Sequence, residues 1–457
     1  MYDVMVIGGG SGGYAAAIRA SQLGARVALA EAAETGGTCV NRGCIPTKVW
    51  LRAAYLLDCL RSADKFGIKA TLQGLDLPAI VDRKNGVSGD IRMGMEGLLG
   101  NNGVKVIRGR AVLKGPQEIA VDDDIVEAQK IIIATGSALY THDVPGLEDA
   151  ALTTDQVLEM TEAPSSVLIW GPIGPIEVEM AALLNAFGSK VFIASDSRRI
   201  LPREDGDTSQ RVAQSFREKG IELLPRFTLQ SVKKSGEGFE AILSGPEERS
   251  VEVERVLVSA RRPATANLGL DQTGVRLNRD GGIRVNERLE TSVAGIYAIG
   301  EATGGWMLSH ASSSMAVTAA ENAMGNTRKF PFHLVPRGIW TNPQVGAVGL
   351  SEEDAEEKGL EVEVGDFPYS IDGLAMVRDE MMGAVKIVSD PRHGEILGVH
   401  IVGANATELV GEAVLAIQLE STARELAYSI RVHPTFSESV VDAARDALNW
   451  ALYLPKR

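Results

Sequence analysis

Cysteine is scarce, with three in 457 residues. That excludes an extracellular scaffold held together by disulfides. Aromatic residues are also few, at 5%, which disfavours an aromatic-rich β protein. No apolar run reaches the roughly 20 residues that a membrane-spanning helix needs. The N-terminal segment has neither a basic stretch nor a cleavage site, so no secretory leader is expected. Positive charge is in deficit: 46 Lys and Arg face 60 Asp and Glu, a net charge of −14. The acidic surplus is spread along the chain, as on a solvated surface. It leaves nucleic acid and anionic membrane as unsuitable partners, and a cytoplasmic location is expected.

Glycine is abundant, at 49 residues, and hydrophobic residues make up 45%. This suits an α/β protein of about three domains, rich in tight strand-to-helix turns. Residues 2–7 read as a buried strand, followed by Gly8-Gly9-Gly10-Ser11-Gly12-Gly13, a helix over 15–23 and a second strand over 26–30 closing at Glu31. Gly8, Gly10 and Gly13 fit G-x-G-x-x-G within a βαβ unit. The first permits the turn, the second lets backbone approach a pyrophosphate, and the third lets helix pack on strand. Glu31 suits a ribose hydroxyl, so a dinucleotide site is expected here. A weaker copy begins about 165 residues later, with a strand over 167–170, a Gly/Pro turn, a helix over 178–187 and a strand over 190–194. It implies a second nucleotide site. Further strands are expected over 251–259 and near 345–349, 383–389 and 396–402, with helices over 312–324 and near 406–419 and 422–430.

The densest chemistry lies in Gly36-Gly37-Thr38-Cys39-Val40-Asn41-Arg42-Gly43-Cys44-Ile45-Pro46-Thr47-Lys48. Two cysteines spaced C-x4-C at a helix start can close a local disulfide, and helix N-terminal amides favour the reactive thiolate. The alternatives are two unpaired thiols or half of a metal site, which needs two further ligands. Cys59 stands among Leu56, Leu57 and Leu60 and is expected in the core, so no metal is expected. Near the C-terminus, Val432-His433-Pro434-Thr435-Phe436-Ser437-Glu438 holds a histidine that titrates in the range useful for thiol chemistry, with a carboxylate close by.

Over nearly its whole length the chain resembles the pyridine nucleotide–disulfide oxidoreductase family, most specifically in GGTCVNRGCIPTK and HPTFSE. The resemblance implies two Rossmann-like nucleotide-binding domains, for FAD and NAD(P), plus a C-terminal α+β dimerisation domain. The expected limits are 1–145 and 266–335 for the FAD-binding domain, 146–265 for the NAD(P)-binding-like domain and 336–457 for dimerisation. It further implies Cys39 as the thiol that exchanges with substrate and Cys44 as the thiol beside the flavin. Lys48, paired with Glu179, lies near the flavin N5. His433 is the acid/base oriented by Glu438, and both serve the other subunit's disulfide in a homodimer. Gly37 and Thr38 belong to the flavin site. So do the small-residue turn Ala134-Thr135-Gly136 and the turn Gly300-Glu301, where the family usually has Asp in place of Glu301. CIPTK and HPT-x-SE resemble the lipoamide dehydrogenase branch of the family, which implies a lipoyl-bearing carrier protein or a small disulfide as substrate partner. A non-catalytic flavoprotein subunit of a lipoyl complex, or a reductase of another disulfide, are the rival readings.

The second nucleotide motif departs from the family. Aligned on Glu179, its three glycine positions hold Pro172, Gly174 and Glu177, and the acid ending the following strand is replaced by Ser195. Gly174, Ile176 and Arg261 remain candidate nicotinamide-nucleotide contacts, although Ala260 replaces a glycine just before Arg261. Loss of the strand-end acid, with Arg198 and Arg199 following, leaves NADP open beside NAD. Glu177 is expected to put bulk and negative charge where phosphates lie.

Overall fold

The computed structural model describes residues 1–455. The chain opens with β1 (Tyr2–Ile7), α1 (Ser11–Gln22) and β2 (Val27–Glu31), and the two strands pair in parallel. β1 also pairs in parallel with strand Asp124–Ile133, and that strand with Ile296–Ala298, in a mixed seven-stranded sheet. α1 begins at Ser11, four residues before the expected start, so Gly12 and Gly13 lie inside its first turn. Helix Ser309–Ala323 covers the same face, and its Ala311, Ala316, Ala319 and Ala320 are buried with Ala16, Ala17 and Ala20 of α1. Small residues on both helices permit this close approach.

The repeat is present as strand Ser166–Trp170, helix Pro175–Ala186 and strand Lys190–Ser195, in a five-stranded all-parallel sheet. The expected single strand over 251–259 is instead two. Glu248–Val253 closes a three-stranded antiparallel sheet, and Arg255–Val258 joins the parallel sheet beside Ser166–Trp170. The break falls at Glu254, whose amide donates to the Ser166 carbonyl and whose carboxylate accepts from the Ser165 amide. A third unit, a five-stranded antiparallel sheet in the order Arg337–Ile339, Gln344–Gly349, Ile396–Gly403, Ala384–Ser389 and Glu363–Pro368, packs against helices Ala406–Gln418 and Ser437–Ala447. The last expected helix is shorter than the sequence suggested, Ala423–Tyr428.

The cysteines sit on two helices, α2 (Gly37–Asn41) and α3 (Cys44–Arg61). Pro46 falls in the first turn of α3, where a missing amide costs nothing. Trp50, Leu51, Ala54 and Leu57 form one buried face, the spacing of an amphipathic helix. That face packs on the second nucleotide unit: Trp50 meets Phe187 edge-to-face at 5.3 Å, and its Nε1 donates to the Leu158 carbonyl at 3.1 Å. Cys59 falls on the opposite side and is exposed, as are Leu56 and Leu60. The expectation that Cys59 is a core residue is therefore corrected. The leucines around it divide between two faces, and only Leu57 turns inward.

Candidate active site

The Gly36–Cys44 segment is docked on the first glycine loop. The Gly36 amide donates to the Gly9 carbonyl at 2.8 Å. Gly36 and Gly37 have φ of +96° and +55°, and a Cβ on Gly37 would stand 2.8 Å from the Gly10 Cα. Glycine is needed there by both backbone angle and space. Asn41 holds the segment from within, its Nδ2 donating to the Thr35 and Gly37 carbonyls at 3.1 and 2.9 Å. Arg92, on helix Leu77–Asn101, donates in turn to Asn41 Oδ1 at 3.1 Å. Neither residue was singled out from sequence, and the asparagine inside the motif was the available signal.

Cys39 and Cys44 are half-buried free thiols that hydrogen-bond to each other. The two share a proton unequally. Hydrogen bonding from Cys44, then from Ser309 and Ser11, together with the charge of Lys48, lowers Cys39 to about 6 against the opposing effect of burial. Cys44 is pushed up, first by its bond to Cys39 and then by burial. The dithiol thus titrates as a pair that holds one proton between two sulfurs. Lys48 lies one turn beyond Cys44 on α3, and i,i+4 spacing puts both on one face. Its Nζ bonds Glu179 Oε2 and Oε1 at 2.8 and 3.0 Å, the pairing that the resemblance implied. Two contributions from Trp340 were not legible in sequence: its amide donates to Glu179 Oε1 at 2.9 Å, and its ring lies 4.2 Å from Lys48 Nζ.

The residues expected to hold FAD converge on the first βαβ unit. Gly8 has φ +101°, and a Cβ on Gly13 would stand 1.7 Å from the Gly8 carbonyl oxygen, so that turn closes only on glycine. Gly10 precedes α1 and leaves its amino end open to an anion. Glu31 ends β2 and accepts from the Gly9 amide at 2.6 Å. Ala134, Thr135 and Gly136 follow strand Asp124–Ile133, and the buried Thr135 hydroxyl has no partner within the protein. Gly300 and Glu301 start a 3₁₀ turn, from which Glu301 accepts a hydrogen bond from Ser137. An orphaned hydroxyl, a glycine cradle and a strand-end acid fit a dinucleotide cofactor. Arg261 also faces this side: its Nε donates to Ser137 Oγ at 2.8 Å and its Nη2 to Thr38 Oγ1 at 3.2 Å. It ties the cysteine segment to the turn that follows strand Asp124–Ile133.

The second unit is different. Ser195 is buried, and its hydroxyl accepts from the Ser197 amide at 3.2 Å. Arg199 is tied to Glu353 and to the Glu204 carbonyl, while Arg198 lines a cavity of about 430 Å³ with Ser195 and Arg217. Ile176 is 40% exposed beside Glu179. Gly174 caps helix Pro175–Ala186. The turn before it is rebuilt, because Pro172 cannot take the positive φ that Gly8 takes. Gly171 and Ile173 carry positive φ instead, +146° and +44°. A β-branched residue in that region costs on the order of 1–3 kcal/mol. The second turn therefore has a backbone shape of its own, unlike that of the first.

His433 Nδ1 lies 3.0 and 3.1 Å from the two oxygens of Glu438. The imidazole is 77% exposed, and Ile430 on the same segment is 95% exposed. With Tyr428 and Val432 also exposed, this segment presents a run of uncovered apolar side chains. Among the described residues, no helix is long and apolar enough to cross a membrane, and no cluster of three or more potential ligands could hold a metal.

The family model for pyridine nucleotide-disulphide oxidoreductases matches residues 2–316, and that for the dimerisation domain of the same enzymes matches residues 335–444. The chain belongs to this family and is an oxidoreductase acting on sulfur groups, with the family's cofactors, FAD and a pyridine nucleotide. It carries the family's dimerisation domain, which supports a homodimer. It is 37% identical to dihydrolipoyl dehydrogenase of Thermus scotoductus, covering 100% of this chain and 99% of the relative. It is 36% identical to dihydrolipoyl dehydrogenase of Bacillus subtilis, covering 99% of both. Among solved structures it resembles the HOCl-induced flavoprotein disulfide reductase RclA from Escherichia coli, with a TM-score of 0.85, 27% identity, and 96% and 99% of the two chains covered.

Proposed function

We propose that this protein oxidises the dihydrolipoamide of a lipoyl-bearing carrier protein in the cytoplasm, through Cys39 and Cys44. The observation that carries this reading is the docking of the two-cysteine segment onto the first glycine loop, with Lys48–Glu179 one turn away. In this reading residues 1–145 and 266–335 hold FAD, 146–265 form the second nucleotide domain and 336–457 the dimer interface.

The reaction starts from the Cys39–Cys44 disulfide. Glu438 accepts a hydrogen bond from Nδ1–H of His433, which leaves the Nε2 lone pair to act as base. Nε2 of the partner's His433 takes a proton from one substrate thiol. The thiolate attacks Cys39 Sγ, the Cys39–Cys44 bond breaks, and Cys44 leaves as a thiolate. The second substrate thiol then gives its proton to the cysteine pair as its sulfur attacks the substrate's own sulfur in the mixed disulfide, and Cys39 is released, leaving one proton on the pair and one on the partner's His433. A lowered Cys39 makes that thiolate a good leaving group. Two electrons now reside in the dithiol, and the chemistry supplied by bound FAD is acceptance of that pair from the Cys44 side. Lys48 holds positive charge beside the developing Cys44 thiolate, and Glu179 keeps the ammonium in place.

The test is anaerobic titration of the flavin-loaded protein with dihydrolipoamide, following the long-wavelength thiolate–flavin absorbance. The band should grow with the dithiol and be absent in Cys44→Ser. No spectral change with dihydrolipoamide, but reduction by another dithiol, would favour the reading as a reductase of a different disulfide.

A further inference from the structure

We infer that Glu177 fills the diphosphate end of the second nucleotide site with the protein's own carboxylate and thereby sets this chain's coenzyme affinity. In the first unit the acid stands at the strand end, as Glu31, and the sixth motif position is Gly13. In the second unit the acid has changed places: the strand end is Ser195 and the sixth position is Glu177. Glu177 is 5% exposed, and both its oxygens are engaged within the protein. Oε2 accepts from the Gly174 amide at 2.7 Å, and Oε1 accepts from the Ser259 hydroxyl at 2.5 Å. Ser259 is itself buried, just after strand Arg255–Val258. The carboxylate thus sits at a helix amino end, where a bound pyrophosphate would place its own negative charge.

The loop has lost donors as well as space. Pro172 and Pro175 have no amide hydrogen, and the amide of Gly174 is spent on Glu177. Glycine at the sixth position of the first unit is enforced by the carbonyl of the first position, whose oxygen is 1.7 Å from where a Cβ would stand. A side chain at 177 therefore requires a turn of another shape, and the positive φ of Ile173 and Gly171 records that change. The nicotinamide end is kept, with Glu179 bonded to Lys48 and Ile176 exposed beside it. A dinucleotide reaching this site must displace a buried, doubly bonded carboxylate or bind without its diphosphate contacts.

The probe is ADP-ribose, which carries the diphosphate and adenosine but no nicotinamide. Its dissociation constant is measured by calorimetry on the flavin-loaded dimer for the wild type, Glu177→Gln and Glu177→Gly. Gln keeps the size of the side chain and removes its charge, so it remains informative if Gly loosens the helix end. The wild type should bind at least about tenfold more weakly than Glu177→Gly, with Glu177→Gln between them, a factor of ten being about 1.4 kcal/mol. Equal constants in all three proteins, or weaker binding in both variants, would overturn the inference. The inference rests on the family reading of the second domain. Titration with dihydrolipoamide probes the dithiol reaction without the nucleotide, so failure of the one is distinguishable from failure of the other.

Discussion

Alkylation kinetics of the reduced protein read the charge on Cys39 directly. Its thiol is lowered to about 6, chiefly by the hydrogen bond from Cys44. At pH 6 an ordinary thiol of pKa about 8.5 is roughly 0.3% ionised and Cys39 about half ionised, a ratio of about 160. A less basic thiolate is also a poorer nucleophile, and with a Brønsted coefficient of about 0.4–0.5 that loss is a factor of roughly 10–18. The net expectation with iodoacetamide is a rate about tenfold above an ordinary thiol at pH 6 and about twofold at pH 7. The measurement uses Cys59→Ser protein, since Cys59 is exposed and would react in parallel. A lowered thiol is ionised above its pKa and protonated below it, so the rate should fall as pH drops through about 6. Cys44→Ala removes the largest cause, and the midpoint should move upward. A midpoint near about 8.5 in the parent, or one that stays at 6 without Cys44, refutes the reasoning.

His433→Gln should slow dithiol oxidation by about 10²–10⁴ while leaving flavin content and thiol count unchanged, and turnover near the parent rate would remove His433 from the role of base. Gly13→Ala puts a methyl group 1.7 Å from the Gly8 carbonyl oxygen; the protein should purify without flavin, and a normal visible spectrum would contradict the packing argument. Ile430→Asp charges a side chain that is 95% exposed beside His433. Light scattering should then show monomers that hold flavin but no longer oxidise the dithiol, and an active monomer would rule out a site shared between subunits.

Three parts of this protein are written in contiguous residues, and sequence alone determined them. The Gly8–Glu31 unit, the Cys39–Lys48 segment and the His433–Glu438 pair each depend on local spacing, which a helix, a turn or a strand end converts directly into geometry. The degeneracy of the second motif was equally legible as Pro172, Glu177 and Ser195. What only the tertiary structure decided involves partners far apart in the chain or a choice between faces. Ser259 lies 82 residues from the Glu177 it binds. Trp340 reaches Glu179 across 161 residues, and no local pattern marks either. The run over 251–259 reads as one strand because valines recur through both halves, yet the halves pair with different sheets. Cys59 shares a helix with buried leucines, but which side of that helix is covered depends on where Trp50 docks. Composition sets what a residue can do. Packing of distant segments sets whether Glu177 meets a phosphate or a serine, because that contact exists only once two strands have come together in one sheet.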